Sequence, residues 1–193
     1  MATDLDQLLE DVRSCRICEA SLPHGCRPVI RASKSARILV VGQAPGRRVH
    51  ESGVPFDDPS GDRLRQWMGI DKPTFYNEQK INIIPMGFCY PGTGKSGDLP
   101  PRSECAEAWR DRLMTEMGQI ALTLVIGQYA IGWHLKGQSK KTLTETVKAW
   151  KEYWPAAVVL PHPSPRNNIW LKRNPWFEDE VLPPLRQKIQ ELL

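Results

Sequence analysis

The sequence predicts an α/β fold: a three-layer α/β/α sandwich around a central, mainly parallel four-stranded sheet. Three observations carry this expectation. Apolar runs of strand length recur four times, helical patterns separate them, and Gly- or Pro-rich loops follow two of the runs. Strands that alternate with helices build parallel sheets whose crossovers cover both faces. The 193 residues fit one domain, expected to span residues 1 to 193. A domain of that size buries about 70% of the surface its unfolded chain exposes.

Each element follows from its local pattern. Asp4 to Val12 reads as a short helix and Arg37 to Val41 as the first strand. The helix from Ser60 to Met68 is expected to open with Ser60 as its cap. Ile81 to Ile84 forms the second strand, and an irregular Pro- and Gly-rich stretch follows from Pro85 to Pro101. Ser103, with Glu107 near it, starts a helix through Met117. Ala121 to Ile126 is the third strand, and Gln128 to Leu135 is helical. Thr144 to Trp150 is a weaker helical pattern, and Ala157 to Leu160 is the fourth strand. Glu178 to Leu192 is the closing helix, interrupted early by Pro183 and Pro184. No internal repeat or low-complexity tract is visible.

The longest apolar runs, such as Ile38 to Val41 and Ala121 to Ile126, fall far short of the ~20 residues a membrane helix requires. Acidic Asp4, Asp6, Glu10 and Asp11 stand where a secretory signal would be basic and then apolar. A soluble, intracellular, cytoplasmic protein without membrane association is expected. The net charge of +4 suits a polyanionic partner without establishing one. Lys136, Lys140, Lys141, Lys148 and Lys151 read as a solvated helix face. Arg166, Lys172 and Arg173 favour phosphate contact, because Asn167 and Trp170 lie among them.

Two segments carry the chemistry. Gly42-Gln43-Ala44-Pro45-Gly46, leading to Gly53-Val54-Pro55-Phe56, follows the first strand; Pro161-His162-Pro163-Ser164-Pro165-Arg166-Asn167 follows the fourth. Open α/β sheets place ligands at the carboxyl ends of their strands, so the two loops are expected to share one cleft. Gly42, Ala44 and Gly46 let the backbone approach a ligand closely, Phe56 offers a stacking face, and His162 offers a hydrogen-bond donor. Cys15 and Cys18 form a C-x-x-C pair, Cys89 and Cys105 flank the Pro- and Gly-rich loop, and Cys26 stands apart. In an intracellular protein this pattern indicates metal or redox chemistry more than disulfides. Spacing does not separate tetrahedral zinc from an iron-sulfur cluster. Either would tie the N-terminal segment to the long loop.

Taken together, these residues resemble the uracil-DNA glycosylase superfamily, most closely its iron-sulfur families 4 and 5. Family 4 has a C-x-x-C pair, a G-E-x-P-G motif, a G-x-P-F segment and two further cysteines about fifteen residues apart. The corresponding residues are Cys15 and Cys18, Gly42 to Gly46, Gly53 to Phe56, and Cys89 with Cys105. His162-Pro163-Ser164-Pro165 is similar to the superfamily's histidine loop. The resemblance implies a 4Fe-4S cluster on those four cysteines. It also implies DNA repair: uracil is flipped out, its N-glycosidic bond is hydrolysed, and an abasic site is left. Phe56 would then stack on the base, worth about 1 to 3 kcal/mol, and His162 would stabilise the charge that develops on uracil O2. Arg166 and Asn167, with Asn168, fall where the superfamily places its wedge into the duplex. Ser60 and Ser164 are candidates for phosphate contacts. Uracil-containing DNA, single- or double-stranded, is the expected partner, bound by a monomer.

The chain departs from the family pattern at informative places. Gln43 and Val49 stand where family 4 carries glutamates, and Ala44 stands where family 1 carries a catalytic aspartate. Gln43, Glu51 and Asp58 are the replacement candidates for orienting water, with Asp57 and His50 nearby. The base-reading asparagine of families 1 and 4 aligns with Pro85, three residues beyond Asn82. Either Asn82 reaches the base through a shifted register, or backbone groups of Pro85 to Phe88 read it. Asn82 has an ordinary strand role as its other reading. The K-R-R-I-H insertion of a covalently trapping branch is absent, so turnover is expected. The alternatives are a glycosylase for another deaminated base such as hypoxanthine, a non-catalytic lesion-binding protein, and an enzyme of free nucleotides. The last lacks a G-x-x-x-x-G-K loop.

Overall fold

The computed structural model describes residues 4–193. Helix α1 (Asp4–Arg13) buries Leu5, Leu8, Leu9 and Val12, the three- and four-residue spacing of a one-faced helix. Strand β1 (Ile38–Val41) leads into α2 (Arg47–Ser52), α3 (Pro59–Met68), α4 (Lys72–Phe75) and strand β2 (Ile81–Ile83). Strands β3 (Thr93–Gly94) and β4 (Gly97–Asp98) pair as a small antiparallel hairpin. Helix α5 (Ser103–Cys105) continues through a π-helical turn at Ala106–Arg110 into α6 (Asp111–Glu116). Strand β5 (Leu122–Ile126), α7 (Gly127–His134), α8 (Leu143–Lys148) and β6 (Ala157–Leu160) complete the sheet. Helix α9 (Asn168–Arg173) and α10 (Leu182–Leu192) close the chain.

The sheet has the order β2-β1-β5-β6 with every pairing parallel, as expected. Its strands are almost wholly buried, so both faces are covered. The step from β1 to β2 runs opposite to the step from β2 past β1 to β5. Right-handed crossovers therefore place α3 and α6 on opposite faces. Leu64, Trp67 and Met68 of α3 meet Leu185 and Ile189 of α10 on one side, and α1 packs on α6 on the other. Among the described residues no helix is long and apolar enough to cross a membrane.

Several details correct the sequence expectations. Asp58, not Ser60, caps α3: its Oδ1 accepts the Gly61 N–H at 2.9 Å, and Pro59 occupies the first helical turn. Pro183 and Pro184 lie in the first turn of α10 and so begin that helix rather than interrupt it. A separate π-helical turn, Phe177–Val181, precedes it. The basic residues read as a solvated face are partly engaged. Lys136 lies 4.8 Å above the Trp133 ring, Lys148 and Lys151 cover Trp176 and Trp150, and Lys140 pairs with Glu152.

Candidate active site

A cavity of about 410 Å³ opens at the carboxyl ends of β1, β2 and β6. The β1 loop supplies Gly42, Gln43, Ala44 and Gly46, and the segment before α3 supplies Phe56, Asp58 and Ser60. The β6 loop supplies His162, Ser164, Arg166 and Asn167. The two loops over a hundred residues apart thus meet in one cleft. A further wall, Ser96 to Leu99, comes from the β3–β4 hairpin.

Phe56 is held in place from several directions. Its ring lies over Gly42, where a Cβ would stand 3.2 Å from Cζ, so glycine there lets the aromatic platform close on the backbone cradle. The ring meets Phe75 edge-on, with centroids 6.0 Å apart. Its backbone has φ +55°, a left-handed conformation uncommon for a bulky residue. Two contacts sustain that conformation. The Phe56 carbonyl accepts from the buried Arg65 at 3.3 Å, and Gly61 leaves it room, since a Cβ there would fall 1.8 Å from the oxygen. Arg65 also binds Asp62 and the Tyr76 hydroxyl, and that hydroxyl donates to the Pro55 carbonyl at 2.8 Å.

His162 is fixed in one tautomer. Its Nδ1 accepts the Ser164 N–H at 3.1 Å, which leaves the proton on Nε2. The Asn167 Nδ2 donates to the His162 carbonyl at 2.7 Å. Burial lowers the imidazole pKa, against the opposing pull of the Asp58 and Asp98 charges. The cavity is therefore lined by a neutral ring with an Nε2–H to donate. Arg166 donates to the Ser96 carbonyl at 2.8 Å, across Gly97, where a Cβ would collide with the guanidinium. Arg63 binds the Ser164 carbonyl and Asn168 Oδ1 at 3.1 and 2.7 Å, which fastens the histidine loop to α3.

Three candidates lie elsewhere. Glu51 is exposed and outside the cavity; its backbone carbonyl, with that of His50, accepts from Arg27 at the end of α2. His50 does not line the cavity either, and packs near the His24 and Tyr90 rings. Asn82 is fully buried in β2: its Oδ1 accepts the Ser33 N–H at 2.8 Å and its Nδ2 donates to the Ser33 carbonyl. That amide is consumed in holding the segment along the sheet edge.

Most backbone groups of the Pro85 to Phe88 stretch are engaged as well. Met86 and Gly87 donate their N–H groups to the Gly42 and Gln43 carbonyls at 2.9 Å, and the Phe88 N–H points to Cys105 Sγ. Pro85 has no N–H, and its carbonyl is taken by Arg110 at 2.8 Å. Gln43 and Asn167 are the side-chain amides among the lining residues.

Arg110 gave no sequence signal, because a buried arginine reads like a surface charge. It is fully buried, holds the Ile84 and Pro85 carbonyls at the end of β2, and contacts His134 Nε2 at 3.0 Å. Burial, reinforced by the Arg110 charge, pushes the His134 pKa down to about 3. The folded chain thus refuses a proton that the unfolded chain binds below about pH 6.5. This contribution to stability is complete above that pH and is lost on acidification toward about pH 3. The expected slope is up to about 1.4 kcal/mol per pH unit. His134→Gln keeps an acceptor and should flatten it, which urea unfolding at about pH 7 and about pH 5 would check.

Cys18 and Cys89 share a small buried cluster with Leu22, and Cys26 packs against it with its side chain hydrogen-bonded to Cys89. Cys26 therefore does not stand apart. Burial pushes the thiols of Cys89 and Cys105 up to about 12 and about 11. Backbone N–H groups of Arg27 and Phe88 bond the two sulfurs. Among the described residues no three His, Cys, Asp or Glu side chains converge on one metal-ion position.

A parallel α/β sheet with a Gly/Pro cradle, an aromatic platform and a neutral histidine at its strand ends defines a protein built to hold a planar ligand. The family model described as Uracil DNA glycosylase superfamily matches residues 30–186, and the chain belongs to that superfamily. The matched region contains both loops and begins after Cys15, Cys18 and Cys26. The protein is of the DNA glycosylase class, and its substrate is DNA.

Proposed function

We propose that this chain excises uracil from DNA, single- or double-stranded, acting as a monomer and leaving an abasic site. The observation that carries the reading is the placement of Phe56 over Gly42 in the same cavity as a neutral His162. A flipped base stacks on the Phe56 ring, and unstacking it from the duplex costs a few kcal/mol. As the bond to the sugar breaks, charge collects on the pyrimidine O2. The Nε2–H of His162 donates to that oxygen, and the Ser164 N–H and Asn167 hold the ring for the task. Arg166, Ser60, Ser164 and Asn167 are the proposed DNA contacts, with Gln43 facing the base. Asp58 caps α3 while lining the cavity.

A second reading is favoured by one specific observation: no amide from β2 reaches the cavity, because Asn82 is bound to Ser33. On this reading the base taken is another deaminated one such as hypoxanthine. Single-turnover assays on matched oligonucleotides carrying uracil, hypoxanthine or xanthine, followed by alkaline cleavage, separate these readings. Faster release of uracil supports the first, and faster release of a purine supports the second. Tight lesion binding with no product at saturating protein would leave a lesion-binding protein instead.

We further infer that Cys15, Cys18, Cys89 and Cys105 hold a 4Fe-4S cluster. Support comes from the burial of Cys18, Cys89 and Cys105 and from the N–H groups on the Cys89 and Cys105 sulfurs, a setting that suits sulfur ligands of a cluster. When bound, the cluster would supply a structural cross-link. The cysteines would fix the N-terminal segment to the two feet of the loop that carries the hairpin. A brown preparation with broad visible absorbance and near four irons per chain is the expected observation.

A further inference from the structure

The β1 loop from Gly42 to Gly46 contains no acid, yet the cavity is not without carboxylates. Two of them act on His162, Asp58 and Asp98. Asp58 spends Oδ1 on the Gly61 N–H at the start of α3. Asp98 arrives from a different part of the chain, the second strand of the β3–β4 hairpin. Its Oδ2 stands 3.4 Å from where a Gly46 Cβ would be, so the carboxylate lies directly against the β1 loop. A Cβ at Gly46 would stand in ordinary van der Waals contact with it.

The hairpin tethers that carboxylate through one side-chain contact. Asp98 is paired across the ladder with Thr93, whose hydroxyl donates to Asp98 Oδ1 at 3.4 Å. The same hydroxyl meets that of the fully buried Tyr90, which anchors Thr93 in turn. At the hairpin tip, Arg166 binds the Ser96 carbonyl and couples the strand to the histidine loop. Oδ1 is thereby tethered, and Oδ2 is presented to the cavity.

We propose that Asp98 is the catalytic carboxylate of this protein, supplied by the hairpin to a β1 loop that has none, and that its Oδ2 orients the attacking water. The inference rests on the excision reading above. The bond between C1′ and the base nitrogen breaks heterolytically, and its electron pair leaves with the base. The negative carboxylate faces the sugar as positive charge develops there. The water oxygen bonds to C1′ and its proton passes to Asp98 and then to solvent. The base departs as an anion held by His162 and is protonated by solvent after release.

The test compares wild type with Asp98→Asn, Asp98→Ala and Asp58→Asn on one oligonucleotide, chosen as the best substrate among those above. Asp98→Asn should lower the single-turnover rate about a hundredfold, within the range for positioned acid-base groups. Its affinity for an uncleavable 2′-fluoro-deoxyuridine duplex should be unchanged or tighter, because a negative charge near DNA has been removed. A merely structural role would weaken both. Added formate should restore part of the rate to Asp98→Ala and none to Asp58→Asn. Asp98 is exposed on a hairpin, so the variants are expected to melt as wild type does. A rate for Asp98→Asn within threefold of an active wild type would overturn the assignment and leave the excision reading intact. A wild type that releases no base from any lesion would overturn both.

Discussion

Alanine at His162 is expected to slow single-turnover excision by about a hundredfold to a thousandfold, the loss seen when one donor to a developing oxyanion is removed. Lesion-bearing DNA should still bind, because Phe56 and the Gly42 loop remain. The size of the effect follows from preorganisation. The Ser164 N–H occupies Nδ1, Asn167 holds the backbone carbonyl, and burial keeps the ring neutral, so Nε2–H is aimed before any base arrives. The same geometry sets the pH response. Protonating Nδ1 would remove the acceptor of the Ser164 N–H and loosen the loop. Activity should therefore persist to acidities below the usual histidine range before it falls. A pH–rate profile of wild type beside the alanine variant would reveal this, and an alanine variant as fast as wild type would remove His162 from the mechanism.

Gly61→Ala is expected to be nearly as damaging, for a different reason. In a free helix the change would help, since alanine exceeds glycine in helix propensity by about 1 kcal/mol. Here the new Cβ would fall 1.8 Å from the Phe56 carbonyl oxygen and 2.9 Å from its Cβ. Backbone must move, and what moves is the strained residue that carries the stacking ring. Destabilisation of about 1 to 3 kcal/mol is expected from overpacking, with excision reduced beyond the share of unfolded protein because Phe56 is displaced. Gly132→Ala is the control: that position in α7 meets nothing within 4 Å, so the helix preference should be expressed without a clash. Urea unfolding and single-turnover rates of the two variants provide the comparison. Equal behaviour would show that the close approach at Gly61 does not govern Phe56.

The four sheet strands were legible because each is a short run of apolar residues bounded by polar or turn-forming ones. Their parallel order followed from the helices between them. Helix α2 escaped notice because Arg47 to Ser52 offers only Val49 to the interior and so has no apolar period. The β3–β4 hairpin escaped because two residues per strand are too few for alternation to register. Both cavity loops were readable from glycines, prolines and a histidine that have no reason to cluster otherwise. The supporting residues were not. Arg65 and Arg110 are buried charges whose partners are backbone carbonyls, and no local pattern distinguishes them from surface arginines. Sequence alone leaves both readings of Asn82 open because its partner, Ser33, is almost fifty residues away. Asp98 sits in a stretch whose sequence announces only irregularity.

The bridge from Arg166 to Ser96 has one more implication. It spans the mouth of the cavity between two walls from distant parts of the chain, and it is a single exposed contact that solvent can replace at little expense. A phosphate of bound DNA would compete for this guanidinium, while the Thr93 hydroxyl would still hold Asp98 in the hairpin. The doorway and the grip on DNA would then share one side chain, so that admission of the base and clasping of the strand occur together.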